Sequence, residues 1–228
     1  SRNRRAAPDS THWFGTDATG RDLFSRVVAG SVHSLTGGAA AVTIGCVTGT
    51  TMGIVAGAVG GIVDDILMRI VDVLLAIPGL LLALSVVILL GFGTTNAAIA
   101  VGVTSVATFA RLARSQVVEV RATDYVEAAF GSGGSFGSVL VRHIVPNSMA
   151  PVVALVALQF GSAILQIATL GFLGYGAPPP TPEWGLLIAE GRDYLATAWW
   201  LTTLPGAVVA AVVLATKGLS TTLRKVLG

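Results

Sequence analysis

Apolar and polar positions alternate along this chain in long blocks, with no short amphipathic repeats. No Asp, Glu, Lys or Arg occurs in residues 34–63, 73–110, 144–182 or 194–216. A membrane-crossing helix needs about 20 mostly apolar residues, and the longer blocks exceed one crossing while also containing turn-like sequence. The pattern predicts five crossing helices, at about 35–61, 66–90, 96–112, 148–172 and 196–217. Pro78 lies inside the second, where a lost backbone donor should kink it. Residues 91–96, Gly-Phe-Gly-Thr-Thr-Asn, read as a tight link.

The polar remainder falls into a leading segment (1–33), a long inner segment (113–147), a Pro- and Gly-rich loop (173–193) and a basic tail (219–228). In the leading segment, Thr19 is placed to cap a short surface helix running towards Leu35. Asp17/Arg21 and Asp22/Arg26 have the i,i+4 spacing of supporting ion pairs. Arg69 and Asp72 are expected to pair near the start of the second crossing.

Composition sharpens this picture. Only 11% of the residues are charged, against about 25% in a soluble domain, so the chain cannot cover a water-facing surface. The fold class expected is all-α, a polytopic transmembrane helical bundle. A net charge of +2 without aromatic-basic interleaving gives no reason to expect nucleic acid as a partner. The single cysteine, Cys46, excludes a disulfide framework or a cysteine metal cluster.

Cationic residues set the orientation. Arg111, Arg114, Arg121 and Arg142 in the inner segment, and Lys217, Arg224 and Lys225 near the end, lie on one side of the fourth and fifth crossings and are placed in the cytoplasm. The 173–193 loop, with Glu183, Glu190 and Asp193 against Arg192 alone, then faces outward. Counting back puts residues 1–33 outside despite their five arginines. A further helix before Ser1 would return the true N-terminus to the cytoplasm, and a sixth crossing is expected there.

Two intramembrane patterns are candidates for function. Gly45, Gly49, Gly53, Gly57 and Gly61 recur every four residues and predict a seam where two helix backbones approach closely in lipid. Gln159, Ser162 and Gln166 share one face of the fourth crossing. Polar groups at membrane depth either line a path or hold a neighbouring subunit, and the sequence leaves both open.

The inner segment carries a spaced motif: Glu127-Ala128-Ala129, three residues, Gly133, nine residues, His143, two residues, Pro146-Asn147. It reads as a helix ending in small residues, a glycine turn, a second short helix, and a proline-led entry into the next crossing. His143 has no second ligand at helical spacing, so no metal site is expected. No nucleophile–base set and no Gly-Lys-Ser/Thr phosphate loop is present, so no catalytic residues are expected.

This motif resembles the coupling motif of type I ABC importer permeases. The likeness extends to His12-x2-Gly15-Thr16-Asp17-x2-Gly20-Arg21-Asp22-x2-Ser25-Arg26, to Arg121-x2-Asp124-Tyr125-Val126-Glu127-Ala128-Ala129, to Gly171-Phe172-Leu173-Gly174-Tyr175-Gly176, and to Pro179-x2-Pro182-Glu183-Trp184-Gly185. Together these are similar to the dipeptide/oligopeptide/nickel branch, C-type subunit. The chain departs from that pattern at His33, where arginine is usual, and at Phe130-Gly131-Ser132-Gly133-Gly134, where better helix formers are usual.

The resemblance implies a multi-pass permease of the bacterial plasma (inner) membrane. It would be surrounded by lipid and paired with a homologous second permease subunit. Glu127, Ala128, Ala129, Gly133, His143, Pro146 and Asn147 would then dock on ABC ATPase subunits, as two chains or one fused chain. No cofactor would bind this chain; ATP and magnesium would sit on the partner ATPase. An extracytoplasmic substrate-binding protein would deliver short peptides, dipeptides foremost, with nickel or haem as alternatives. An ATPase-independent channel and an intramembrane enzyme are the readings of a different class.

Overall fold

A computed structural model of the chain describes residues 4–227, with side chains to residue 222. Ser1, Arg2 and Asn3, and the side chains of the tail cations Arg224 and Lys225, lie outside the described residues.

The first helix, α1, runs unbroken over Leu23–Val59. Its length of 37 residues is about 55 Å, well beyond the about 30 Å of a hydrocarbon core, so the expected surface helix and first crossing are one element. Asp22, rather than Thr19, starts it. The Asp22 carboxylate accepts the Ser25 N–H at 2.8 Å and the Ser25 hydroxyl at 2.6 Å, satisfying an otherwise orphan donor. That role takes Asp22 away from Arg26, which finds other partners.

A second long helix, Thr94–Arg121, lies along α1. Gly45 of α1 meets Ser105, Gly49 meets Phe109, Gly53 meets Ala113 and Gly57 meets Val117. Rising numbers on both sides mean that the two helices run parallel. A Cβ on Gly45 would stand 2.6 Å from that of Ser105, and one on Gly57 2.9 Å from the Arg114 carbonyl oxygen, so the glycines permit backbone-to-backbone packing. Gly102 returns the favour against Ile44. Gly61 departs from the expectation: it is exposed, begins the next helix with φ +57°, and meets nothing.

Parallel neighbours require the chain to cross back between them. That crossing is made by α2 (Gly61–Ala76) and α3 (Gly79–Leu90), which makes Thr94–Arg121 α4. Where a kink was expected at Pro78, the helix breaks outright, with α2 and α3 at 96° to one another. Ile77 is driven into extended geometry (ψ 129°) by the proline that follows it, and Pro78 is itself extended (ψ 127°). Asp72 also departs from expectation. Its carboxylate accepts from Arg111 of α4 at 2.6 Å, because the helix pairing brings Arg111 within reach.

The inner segment is shorter than the sequence suggested, since residues 113–121 continue α4. It comprises α5 (Asp124–Gly131), α6 (Phe136–Val139), a π-helical turn (Leu140–Ile144) and α7 (Val145–Ser148). The chain then recrosses as α8 (Ala150–Phe172). Beyond an outer loop comes α9 (Trp184–Gly191), and α10 (Trp200–Leu227) crosses last, continuing as helix through the expected tail. α8 and α10 are antiparallel: Ser220 donates to the Ala154 carbonyl at 2.9 Å, and Gly161 abuts Thr216. Four helices are long and apolar enough to cross alone, and the broken α2–α3 pair makes a fifth crossing.

Candidate functional site

At one end of the bundle, the inner segment rests on a small apolar cluster. Val126 of α5, Val139 of α6 and Ile144 of the π turn are buried against Ala58 and Val117, at the ends of α1 and α4. Arg121 closes the attachment: its guanidinium donates to the Ala58 carbonyl at 2.8 Å, covering a helix-end acceptor that has no intrahelical partner. The turn between α5 and α6 needs Gly133 in the left-handed region (φ +89°).

The π turn has a local cause. Pro146 has no N–H to offer the Arg142 carbonyl, and its ring crowds that position. The backbone widens ahead of it, so that the Val145 N–H reaches Leu140. Side chains cover the disturbed carbonyls: the Asn147 amide donates to His143 at 2.6 Å, and the Ser148 hydroxyl donates to Ile144 at 2.6 Å. Asn147 and Pro146 therefore shape this turn, while His143 projects from it.

On the far side of that cluster, Glu127, Ala128, Gly133, His143, Pro146 and Asn147 are exposed and Ala129 is half-buried. Sequence reasoning missed their aromatic surround. Tyr125, Phe130, Phe136 and Val141 are exposed on the same segment, and an apolar surface rimmed by polar groups marks an interaction site. The signal was present as aromatics interleaved with the glycines.

At membrane depth, α8 brings Gln159, Ser162 and Gln166 to one cavity of about 430 Å³, facing the α2–α3 break and α4. From α4, Thr104 and Thr108 join them, which the α8 pattern alone could not reveal. Thr104 donates to Val101 at 2.7 Å and approaches the Gln166 carbonyl oxygen at 3.4 Å. The side chains lining the cavity carry no charge. Irregular backbone at this depth is tolerated where it lines a polar cavity.

The opposite end is knit by buried charge. The Arg26 guanidinium donates to Asp17 at 2.9 Å and to Glu190 of α9 at 2.6 Å. Burial alone would raise the Asp17 carboxyl, but hydrogen bonds from Thr19 and Arg21 outweigh it and hold the group at about 2. Trp184 anchors α9 to α1, its indole donating to Val27 at 3.0 Å and its backbone N–H to Ser34 at 3.2 Å. Glu183 is fully buried: one oxygen accepts the Ala177 N–H at 2.9 Å and the other has no partner among the described residues. Burial pushes this carboxyl up, against the opposing pull of the Ala177 N–H and the His33 charge. Among the described residues, no group of His, Cys, Asp and Glu is arranged to hold a metal.

Comparison with known proteins places this architecture. Residues 49–225 match the profile of the binding-protein-dependent transport system inner membrane component, and the chain belongs to that family. It is a multi-pass inner-membrane permease component of an ABC importer. It is 42% identical to the dipeptide transport system permease protein DppC of Alkalihalophilus pseudofirmus, over 93% of this chain and 70% of that one. To the probable D,D-dipeptide transport system permease protein DdpC of Escherichia coli K12 it is 41% identical, over 90% of this chain and 69% of that one. To an Escherichia coli glutathione transport system permease protein GsiD it is 43% identical, over 93% and 70%. The fold is that of the inward-facing MetNI methionine ABC transporter, with a TM-score of 0.74 over 90% of this chain and 98% of that one at 15% identity.

Proposed function

We propose that this chain is one of two homologous permease subunits of an importer that carries short peptides, dipeptides foremost, into the cytoplasm. Relatives named for dipeptide and glutathione transport, 41–43% identical over nine-tenths of the chain, support that cargo. ABC ATPases, as two chains or one, would hold ATP and magnesium, and an outer binding protein would bring substrate to the α9 end. Gln159, Ser162 and Gln166 would line the path.

The observation that carries the coupling role is the exposed Glu127-Ala128-Ala129…Gly133 face, held on its own apolar base and surrounded by uncovered aromatics. The apolar base seats this segment on the ends of α1 and α4, which Arg121 ties to one another, so a partner's movement has something to push. ATP-driven closure of the ATPases would rock this segment and reopen the path outward, and hydrolysis would reset it.

Uptake of labelled dipeptide, nickel and haem in cells lacking this chain, with and without its return, tests the cargo. Restoration of dipeptide uptake alone is expected. Restoration of nickel or haem uptake alone would overturn the peptide reading and leave the importer standing.

A further inference from the structure

The wall of the cavity between the α2–α3 break, α4 and α8 combines three features. Its polar side chains are amides and hydroxyls: Thr104, Ser105, Thr108, Gln159, Ser162 and Gln166. The hydroxyls of Thr104 and Ser162 are already turned to carbonyls of their own helices, at 2.7 and 3.3 Å. The Gln159 amide has no hydrogen-bond partner among the described residues, and the Gln166 amide nitrogen likewise has none.

A primary amide is both donor and acceptor at one planar group, and so is the peptide bond. Moving a peptide through a narrow path strips water from that bond, and an unreplaced hydrogen bond is costly. Charged wall groups would compensate by binding the termini tightly, which would slow release. Neutral amides replace the lost water without trapping the cargo. Across the break, a Cβ on Gly79 would meet nothing within 4 Å, so the cavity wall is open at that point.

Resting on the peptide reading above, we propose that Gln159 and Gln166 contact the substrate's peptide bond, so that this cavity reads backbone amide rather than side chain or terminal charge.

The test compares a dipeptide with its depsipeptide isostere, in which an ester oxygen replaces the peptide N–H while side chains and termini stay the same. Uptake of both is measured through the complete transporter carrying either the native chain or Gln159→Leu/Gln166→Leu, with membrane abundance quantified for each. The binding protein is common to both, so its own preference cancels in the ratio. The expected result is an amide-over-ester preference that shrinks about tenfold in the double variant, the worth of one to two neutral hydrogen bonds, with Gln166→Asn retaining part of it. An unchanged ratio in a transporter that still carries dipeptide overturns the inference and leaves the peptide reading intact. A native transporter that carries no dipeptide overturns both.

A second arm does not depend on completed transport. In a Cys46→Ser background, Gln159→Cys and Gln166→Cys should react with a water-soluble thiol reagent and be protected by dipeptide. Failure of both positions to react would show the cavity sealed against the partner permease, and would also overturn the inference.

Discussion

The two ends of this molecule are held together by opposite means. At the α9 end, Arg26 joins Asp17 to Glu190, and Trp184 donates to two points on α1, so these buried groups are paired within the chain, although one oxygen of the nearby Glu183 has no partner among the described residues. At the α5–α7 end, five small apolar residues form the base and the outward surface is left open. Glycines at 131, 133, 134 and 137 loosen that end further. One end is tied together by its own charges, and the other presents an uncovered surface, the one proposed above to meet the ATPases.

The largest effect should come from disturbing the open end. Glu127→Lys or Phe136→Asp, each on an exposed side chain, is expected to lower ATP-driven uptake about thirtyfold or more, as loss of a docking anchor does. Thermal stability of the detergent-solubilised transporter should stay within about 0.5 kcal/mol of native. Retained uptake with normal assembly would sink the coupling role.

The closed end should respond the other way round. Arg26→Met removes the cation shared by the Asp17 and Glu190 carboxylates. Because Asp17 keeps Thr19 and Arg21, the cost is expected to fall below the figure of about 3 kcal/mol for a buried charge left with no partner. The expected outcome is a lowered melting temperature and lower membrane abundance, with uptake per assembled transporter retained. Native stability in this variant would mean that the α9 end is held by packing alone.

The smallest effect concerns pH and has two signs. Glu183 is raised in the folded chain, so the fold holds a proton that the unfolded chain has released, and this contribution is lost as pH rises through the raised value. Asp17, held at about 2, contributes stability above its ordinary value of 3.8 that is lost as pH falls towards 2. Glu183→Gln should flatten the decline on the alkaline side and leave the acid limb untouched, as read from melting curves between about pH 3 and pH 8. An unchanged alkaline limb would show that another group carries it.

What the sequence revealed follows from how local each feature is. The seam at Gly45, Gly49, Gly53 and Gly57 was legible because four-residue spacing on one helix is a local fact. Its failure at Gly61 came from a chain turn that spacing does not encode. Asp22 and Arg26 have good pairing geometry on paper, but capping claimed Asp22, and Arg26 found Glu190 from 164 positions away. Asp72 similarly found Arg111, 39 positions on, in place of nearby Arg69. The motif around Glu127 could be read as a surface, whereas its base of Val126, Val139 and Ile144 required knowing that α1 and α4 end side by side. Gln159, Ser162 and Gln166 declared a polar face. Thr104 and Thr108 joined it only once α4 was placed opposite, because isolated threonines in an apolar helix usually bond to their own backbone.

The glycine seam has a mechanical meaning. Four interlocked steps oppose sliding and splaying of α1 against α4, and Arg121 fastens them at their common tip. They form a paired beam of about 40 Å, the length of α4, with the α5–α7 segment seated on one end, and α1 runs on past the other end to the Arg26 triad. A beam transmits tilt without loss, so a push of a few degrees at one face of the membrane arrives at the opposite face as a displacement of several ångström. The sharp break at Pro78 stands beside the polar cavity whose opposite wall, at Thr104 and Thr108, belongs to that beam.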